Sequence, residues 1–415
     1  MARAASFYDE LETRAPEARE RAQFAALREL IAHAKAAAPG WARILKDVAP
    51  AEVTDRAALA KLPLTRKSEL PELQRAHPPL AGLVTKAKGE LRRIFASPGP
   101  IYDADGHGRD AWRIARALFA AGFRAGDLLH NSFSYHLTPA GAMLEEGAAA
   151  LGCAVVPGGV GQTELQLKCI AELKPDGYTG TPSFLKILFD KAAELALDIG
   201  SLKRALVGAE ALPPSLRAEL EGHGMRVLQC YATADLGLIA YESEAKEGLI
   251  VDEGVILELV RPGTGDPVAE GEVGEVAVSV LNPVYPLIRF AIGDLSAYLP
   301  GTSPCGRTAP RIKGWMGRAD QTAKVRGMFV RPSQIAEVAK RHPEIAKARL
   351  VIEQKDRLDV ATLSCEVTGE TAPALARAIG ESFHAIAKVR ATVTLTEPGT
   401  LPNDGKVIED ARKYE

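Results

Sequence analysis

Two stretches hold residues whose types and spacing could do chemistry together. One is Gly317-Arg318-Ala319-Asp320, continued by Gln321-Thr322-Ala323-Lys324-Val325-Arg326-Gly327. The other is Leu401-Pro402-Asn403-Asp404-Gly405-Lys406. The first reads as a charged joint that opens on glycine, the second as a lysine behind a Pro/Gly turn. A lysine on a terminal lobe, beyond such a joint, can be carried into or out of a site built by a larger lobe. That would suit an enzyme with two successive half-reactions. Taken singly, each stretch is the pattern of a surface turn or a solvated charge, so the motifs between them decide.

The elements that must position this lysine read as follows. Phe24, Leu27, Leu30 and Ile31 fall at helical spacing within 16–37, with Pro16 near the start. Leu62-Pro63-Leu64-Thr65-Arg66-Lys67 through Pro78-Pro79 reads as irregular chain wrapping a core. From about 110 to 235 helix and short apolar strand alternate. Helices are expected over 111–121, 137–151, 162–173 and 183–195, and strands over 128–133, 154–157, 177–180, 204–208 and 226–231. Such alternation predicts an α/β fold with a parallel sheet covered on both faces, and a ligand site at the carboxyl ends of the strands. After 245 the runs Val255–Val260 and Gly274–Val280 suggest a small antiparallel, barrel-like layer, and beyond Gly317 a compact α+β unit follows. The expected division is a large N-terminal lobe over 1–316, a hinge at 317–320 and a small mobile C-terminal domain over 321–415.

At 415 residues the chain exceeds one comfortable core. Hydrophobic content of 47%, charged content of 25% and a net charge of -2 describe an ordinary globular protein and argue against a nucleic-acid surface or an anionic membrane. The five cysteines, Cys153, Cys169, Cys230, Cys305 and Cys365, show no C-x-x-C spacing and fit buried thiols in a reducing compartment. No leader-like apolar segment follows Met1, and no apolar run approaches membrane-spanning length, so the expected location is cytoplasmic.

Every strand expected to reach the crevice ends in something polar or glycine-rich. Tyr178-Thr179-Gly180-Thr181-Pro182-Ser183 ends one, Gly208-Ala209-Glu210-Ala211 the next, and Tyr231-Ala232-Thr233-Ala234-Asp235-Leu236-Gly237 the third. Arg289-Phe290-Ala291-Ile292-Gly293-Asp294-Leu295, the Gly317 joint and Lys406 follow. In this order the chain resembles the adenylate-forming superfamily and, within it, the phenylacetate–CoA ligase branch, from about Phe7 onward. The Leu62–Lys67 stretch looks like that branch too.

The resemblance implies two reactions. A carboxylic acid and ATP give an acyl-adenylate and pyrophosphate, and coenzyme A sulfur then displaces AMP. It implies that Tyr231 stacks on adenine, with Gly208, Ala209 and Glu210 covering the other side, and that Asp294 takes the ribose hydroxyls as a paired acceptor. Thr181 and Ala232 fall within the same nucleotide-binding motifs. Asp235 stands where the family has a glutamate that holds Mg²⁺, and Ala234 where it has a hydroxyl; Thr233 either substitutes or points into the core. The family's phosphate loop ends in Gly-Lys-Pro. Here Phe95-Ala96-Ser97-Pro98-Gly99-Pro100-Ile101-Tyr102-Asp103 keeps Ser97 and Gly99 but has no lysine, and two prolines remove N–H donors. Either the loop no longer grips phosphates, or it is a restyled loop helped by Arg109 or His107.

The acid pocket is expected along 133–139 and 156–161, with Tyr135, His136, Pro157, Gly158 and Gly159 at the substrate; either Tyr135 and His136 close over its carboxylate, or His136 is a structural histidine. Arg318, Asp320, Lys324, Arg326 and Gly327 are expected at the nucleotide and thiol entry, and Lys406 at the α-phosphate during acid attack. Cys305-Gly306-Arg307 echoes a turn of the same branch, but with one cysteine no zinc is expected. The implied partners are a small carboxylic acid, aryl or arylacetic, and coenzyme A, without nucleic acid or membrane; a homodimer is allowed. Two alternatives stay open: transfer to a carrier-protein phosphopantetheine, and a non-catalytic nucleotide- or acid-binding relative.

Overall fold

The computed structural model describes residues 6–261, 265–319, 321, 323–326, 328–355, 358–369, 371–402 and 407–412. The chain divides into two compact units, Met1–Met316 and Gly317–Glu415.

In the first unit the helix Pro16–Ala37 starts on proline, whose missing N–H is one of the unpaired donors of a first turn anyway. It buries Phe24, Leu27, Leu30 and Ile31 on one stripe. A short strand β1 (Thr65–Arg66) and a hairpin of β2 (Arg93–Ser97) and β3 (Ile101–Asp105) follow. The hairpin pairs Ser97 with Ile101 and Phe95 with Asp103 across Pro98-Gly99-Pro100.

Five strands then run parallel: β4 (Leu128–Asn131), β5 (Ala154–Pro157), β6 (Gly177–Gly180), β7 (Arg204–Val207) and β8 (Arg226–Thr233). Helices Ala140–Leu151, Thr163–Leu173, Pro182–Glu194 and Pro214–Gly222 supply the crossovers that parallel pairing requires. β9 (Gly237–Tyr241) turns straight back onto β8, and β10 (Leu249–Val251) pairs antiparallel with it. β11 (Val255–Val260), β12 (Gly274–Val280) and β13 (Leu287–Ser296) join β1 in a second sheet of order β1-β13-β12-β11. β14 (Tyr298–Leu299) and β15 (Arg311–Ile312) return to the main sheet, whose nine strands run β14-β15-β10-β9-β8-β7-β6-β4-β5. The sheet expected as parallel is therefore parallel only from β5 to β8. Its other half is antiparallel because the turn after Thr233 is too short for a crossover. The layer expected as barrel-like has β1 and β11 as its two edges.

In the second unit β16 (Ala323–Val325) and β17 (Met328–Val330) form a hairpin. A four-stranded sheet follows, built from β18 (Ile345–Lys355), β19 (Leu358–Val367), β20 (Thr392–Thr396) and β21 (Ile408–Asp410) in the order β20-β19-β18-β21. Ile335, Val338, Leu350, Leu363, Ile379 and Phe383 pack its core between the sheet and helices Pro332–Arg341 and Pro373–Ala387.

Candidate active site

The carboxyl ends of β6, β7 and β8 carry the expected nucleotide residues, and each is shaped by its local chemistry. Thr181 caps the helix Pro182–Glu194, its hydroxyl oxygen accepting from the Phe184 N–H at 3.3 Å. Past β7, Ala209 sits at φ +63°, a left-handed conformation that costs about 1–3 kcal/mol for a residue with a Cβ and is typical of ligand sites. Beside it, exposed Glu210 accepts from the Ser183 hydroxyl at 2.6 Å. Tyr231 on β8 donates its hydroxyl to Asp294 Oδ2 at 2.7 Å, and Trp315 Nε1 donates to Asp294 Oδ1 at 3.2 Å. Gly293, at φ +80°, gives β13 the turn that presents Asp294 half-exposed. Two donors thus orient this carboxylate, an acceptor that can take more than one bond at once.

The turn after β8 is braced from behind. Arg113 donates to the carbonyls of Leu236 at 2.6 Å and Leu238 at 3.0 Å, and a Cβ on Gly237, at φ +71°, would lie 2.8 Å from Trp112. The brace fixes Asp235, which is 6% exposed. The Thr233 hydroxyl donates to Asp235 Oδ1 at 2.5 Å, so it faces the carboxylate and not the core. Lys67, from the stretch quoted above as family-like, places its ammonium 3.2 Å from Asp235 Oδ2 and 3.3 Å from Oδ1. Burial alone would depress the Lys67 pKa, but the carboxylates of Asp235 and Asp103 outweigh it and hold it above the usual lysine range.

Asp103 on β3 is the residue that the motifs did not single out. It is 2% exposed. Burial, and then the negative charge of Asp235, push its carboxyl up to about 7 against the pull of Lys67 and Ser97. The Ser97 hydroxyl donates to Asp103 Oδ2 at 2.8 Å, so it is engaged inside the hairpin and not presented to a phosphate. Gly99 is exposed at the hairpin tip. Arg109, considered as a helper, donates instead to the Ala150 carbonyl at 2.6 Å, and His107 is exposed. Asp103 lies close enough to Asp235 to feel its charge, and its Oδ1 has no hydrogen-bond partner among the described residues. Asp235 is a hard oxygen donor of the kind that suits Mg²⁺.

The acid side rests on a buried polar lattice. Thr179 donates to Asn131 Oδ1 at 3.0 Å, and Asn131 Nδ2 donates to the Tyr135 hydroxyl at 2.8 Å. Gln166 Nε2 donates to the carbonyls of Gly159 and Gly161, while its Oε1 meets His130 Nε2 and the Ser132 hydroxyl, both at 2.8 Å. A Cβ on Gly158 would approach Gln166 and His130 within 2.9 Å, so only glycine lets this segment lie so close to β4. Pro157 ends β5 and is exposed. Tyr135 is half-buried beside Gly159, and His136 is exposed, its backbone N–H bonded to Ser134 Oγ and its ring without a hydrogen-bond partner among the described residues. Nothing in the structure turns that ring toward the polar lattice.

In the second unit Arg318 is half-buried, Lys324 lies over the Phe329 ring at 5.9 Å, and Arg326 donates from its backbone and guanidinium to Asp359. Asp320, Gly327 and Lys406 lie outside the described residues. The chain on either side of 403–406 is anchored within this unit. Lys347 donates to the Pro402 carbonyl at 2.9 Å, and Gln321 Oε1 accepts from the N–H groups of Val407 at 2.7 Å and Ile408 at 3.3 Å. At Cys305-Gly306-Arg307, Arg307 is 1% exposed and its Nε donates to Glu12 at 3.0 Å, so the turn ties the N-terminal segment to the body. No cluster of three or more metal-ligating side chains occurs among the described residues.

A family model described as "AMP-binding enzyme" matches residues 110–282, which hold β4 to β8 and their carboxyl ends. The phenylacetate–coenzyme A ligase of Thermus thermophilus is 32% identical over 87% of this chain and 84% of its own. The chain belongs to the phenylacetate–coenzyme A ligase family, AMP-forming acid–thiol ligases of the adenylate-forming superfamily. The family's ligases from Aromatoleum evansii and Escherichia coli are each 30% identical, over 85% and 77% of this chain. A solved 2-hydroxyisobutyryl-CoA ligase, in complex with 2-HIB-AMP and CoA, shares the fold over 100% of this chain and 94% of its own, with TM-score 0.83 at 23% identity.

Sequence reasoning did not single out Asp103, Lys67, Trp315 and Gln166, which the structure places against the candidate residues. Asp103 carried a signal, an acid inside an alternating strand where an inward position should be apolar. Lys67 carried another, as the only lysine in the family-like stretch. Gln166 carried none: a glutamine on an amphipathic helix reads as surface.

Proposed function

We propose that this chain activates an aryl or arylacetic acid with ATP, forming an acyl-adenylate and pyrophosphate, and passes the acyl group to coenzyme A with release of AMP. The observation that carries this reading is the pairing of Asp294 with Tyr231 and Trp315 at the carboxyl edge of the sheet, a preformed ribose acceptor beside an aromatic face. Tyr231 covers adenine while its hydroxyl orients Asp294. The backbone at Gly208–Glu210 covers the other side, and the Gln166-held glycines leave room for a flat ring. Magnesium at Asp235 would neutralise charge on the departing pyrophosphate. Lys406 supplies a cation at the α-phosphate during acid attack and is withdrawn, by rotation about Asp320, for the thiol step. The test is pyrophosphate release from ATP across an acid panel. Release that depends on an aryl acid supports the reading, and none with any acid rejects it.

A second reading, a nucleotide-binding relative without turnover, draws on one observation: the Ser97 hydroxyl is turned inward and two prolines flank Gly99. It requires ATP to bind no better than AMP under all conditions.

A further inference from the structure

One short ladder joins the ribose end of the candidate site to the boundary between the two units. The first unit ends at Met316, and the joint opens on Gly317. Residues 313–316 run back along the end of β13 in antiparallel order. Lys313 donates its N–H to the Ala297 carbonyl at 2.9 Å, the Ser296 hydroxyl donates to the Gly314 carbonyl at 2.7 Å, and Met316 donates its N–H to the Leu295 carbonyl at 2.9 Å. The fourth tie is a side chain, Trp315 Nε1 donating to Asp294 Oδ1 at 3.2 Å. The candidate ribose acceptor is thus the immediate neighbour of Leu295, which holds the last residue of the unit. Support stops at the next residue. Gly314 is buried, and a Cβ there would meet Leu249 at 3.4 Å. Gly317, at φ +120°, has nothing among the described residues within 4 Å of the place a Cβ would take.

Packing does not account for Trp315. Trp41 and Trp112 are buried, but Trp315 is 37% exposed, and what holds its indole is the bond to a half-exposed carboxylate. A carboxylate accepts several bonds at once, so indole and ribose hydroxyls share Asp294 instead of excluding each other. A ribose seated there lies against the indole and takes its edge out of water. Lifting Trp315 away then breaks a bond to a charged acceptor in a drier setting, which costs more than in the empty site. We propose that Trp315 is a positioning residue that ties the joint to nucleotide occupancy. While a nucleotide or acyl-adenylate sits on Asp294, residues 313–316 stay fixed along β13 and backbone rotation is confined to Gly317 and beyond. When AMP leaves, the tie loosens. Linkage is reciprocal, so the same tie strengthens nucleotide binding. The inference rests on the reading of Asp294 as the ribose acceptor.

The test uses the full chain as parent, Trp315→Phe, Asp294→Ala and the double variant, each checked for parent-like thermal unfolding. Trp315→Phe keeps an aromatic ring and removes the N–H donor. Calorimetry should find that it binds AMP about 5-fold more weakly than the parent, the scale of one hydrogen bond. On the Asp294→Ala background the same change should cost nothing further, because the indole acts through that carboxylate. Hydrogen exchange gives the second readout. AMP should slow exchange of the Lys313 and Met316 amides in the parent and leave it unchanged in Trp315→Phe. A tryptophan with a merely structural role would alter exchange with and without AMP alike. Trp315→Phe that keeps either the parent's AMP affinity or the parent's slowing overturns the proposal. So does a loss that adds in full to that of Asp294→Ala, which would put the indole on the nucleotide itself. If Asp294→Ala binds AMP as the parent does, the reading of Asp294 fails and the proposal with it. If Asp294→Ala is impaired and Trp315→Phe is not, only the role of Trp315 falls.

Discussion

The two ends of the proposed nucleotide site differ in how far they are finished before a ligand arrives. At the ribose end, Asp294 receives a hydroxyl from Tyr231 and an indole N–H from Trp315, so its direction is fixed. At the phosphate end, Asp235 meets the Lys67 ammonium, and an oxygen on Asp103 and the Tyr285 hydroxyl have no hydrogen-bond partner among the described residues. The first end is preorganised and should bind nucleosides with little rearrangement. The second keeps buried oxygens without hydrogen-bond partners and should depend on what is added to it. Affinity for AMP should therefore be a property of the fold, and preference for ATP a property of the ions present.

The largest expected effect lies outside both ends. Lys406→Ala should lower adenylate formation about 10²–10³-fold, the usual cost of losing one preorganised donor at developing charge, while synthetic acyl-adenylate is still converted to thioester. Equal loss in both half-reactions would mean that the lysine is not withdrawn between them. Next comes Asp294→Ala, which should weaken ATP and AMP alike by about 1.5–3 kcal/mol, because the ribose is common to both. Calorimetry that finds only ATP weakened would erase the distinction between the two ends. Tyr231→Phe keeps the aromatic face and removes one hydrogen bond, so AMP affinity should fall by about 1 kcal/mol with the maximal rate retained.

Much of this was legible in the sequence, and the reason is physical. Strands β4 to β8 were visible because each alternates with an amphipathic helix, and the ends of those strands because Gly, Thr and Asp interrupt apolar runs there. The antiparallel half, β9, β10, β14 and β15, was not seen, since strands of two to five residues carry too little period to register. In the site, Asp294 and Tyr231 were named from their motifs, but their bond to each other is a tertiary fact. Lys67 and Asp235 lie far apart in the chain, and no local pattern pairs them. His136 was named because a histidine in an aromatic-rich segment suggests chemistry, and it lies exposed.

The smallest effect concerns the brace behind Asp235. Asp110 accepts the N–H groups of Ile114 and Ala115 and so starts the helix that follows Arg113. Burial pushes its carboxyl up to about 6 in spite of those bonds. A carboxyl raised on folding keeps its proton where the unfolded chain releases it, so this group's contribution to stability falls as pH rises from about 4 to about 6. Asp110→Asn should remove that part of the slope. Urea unfolding of parent and mutant at several pH values should show the parent losing ground to the mutant across this window. Parallel curves would show that Asp110 is not held uncharged by its surroundings.

The most direct test of the account is a two-stage reaction without and then with coenzyme A. With ATP, Mg²⁺ and an accepted aryl acid alone, the account predicts that acyl-AMP accumulates on the enzyme and is recovered by quenching and mass spectrometry. Adding coenzyme A should convert it to acyl-CoA with release of one AMP for each thioester. Formation of ADP, or of thioester with no acyl-AMP trapped before coenzyme A is added, would contradict it.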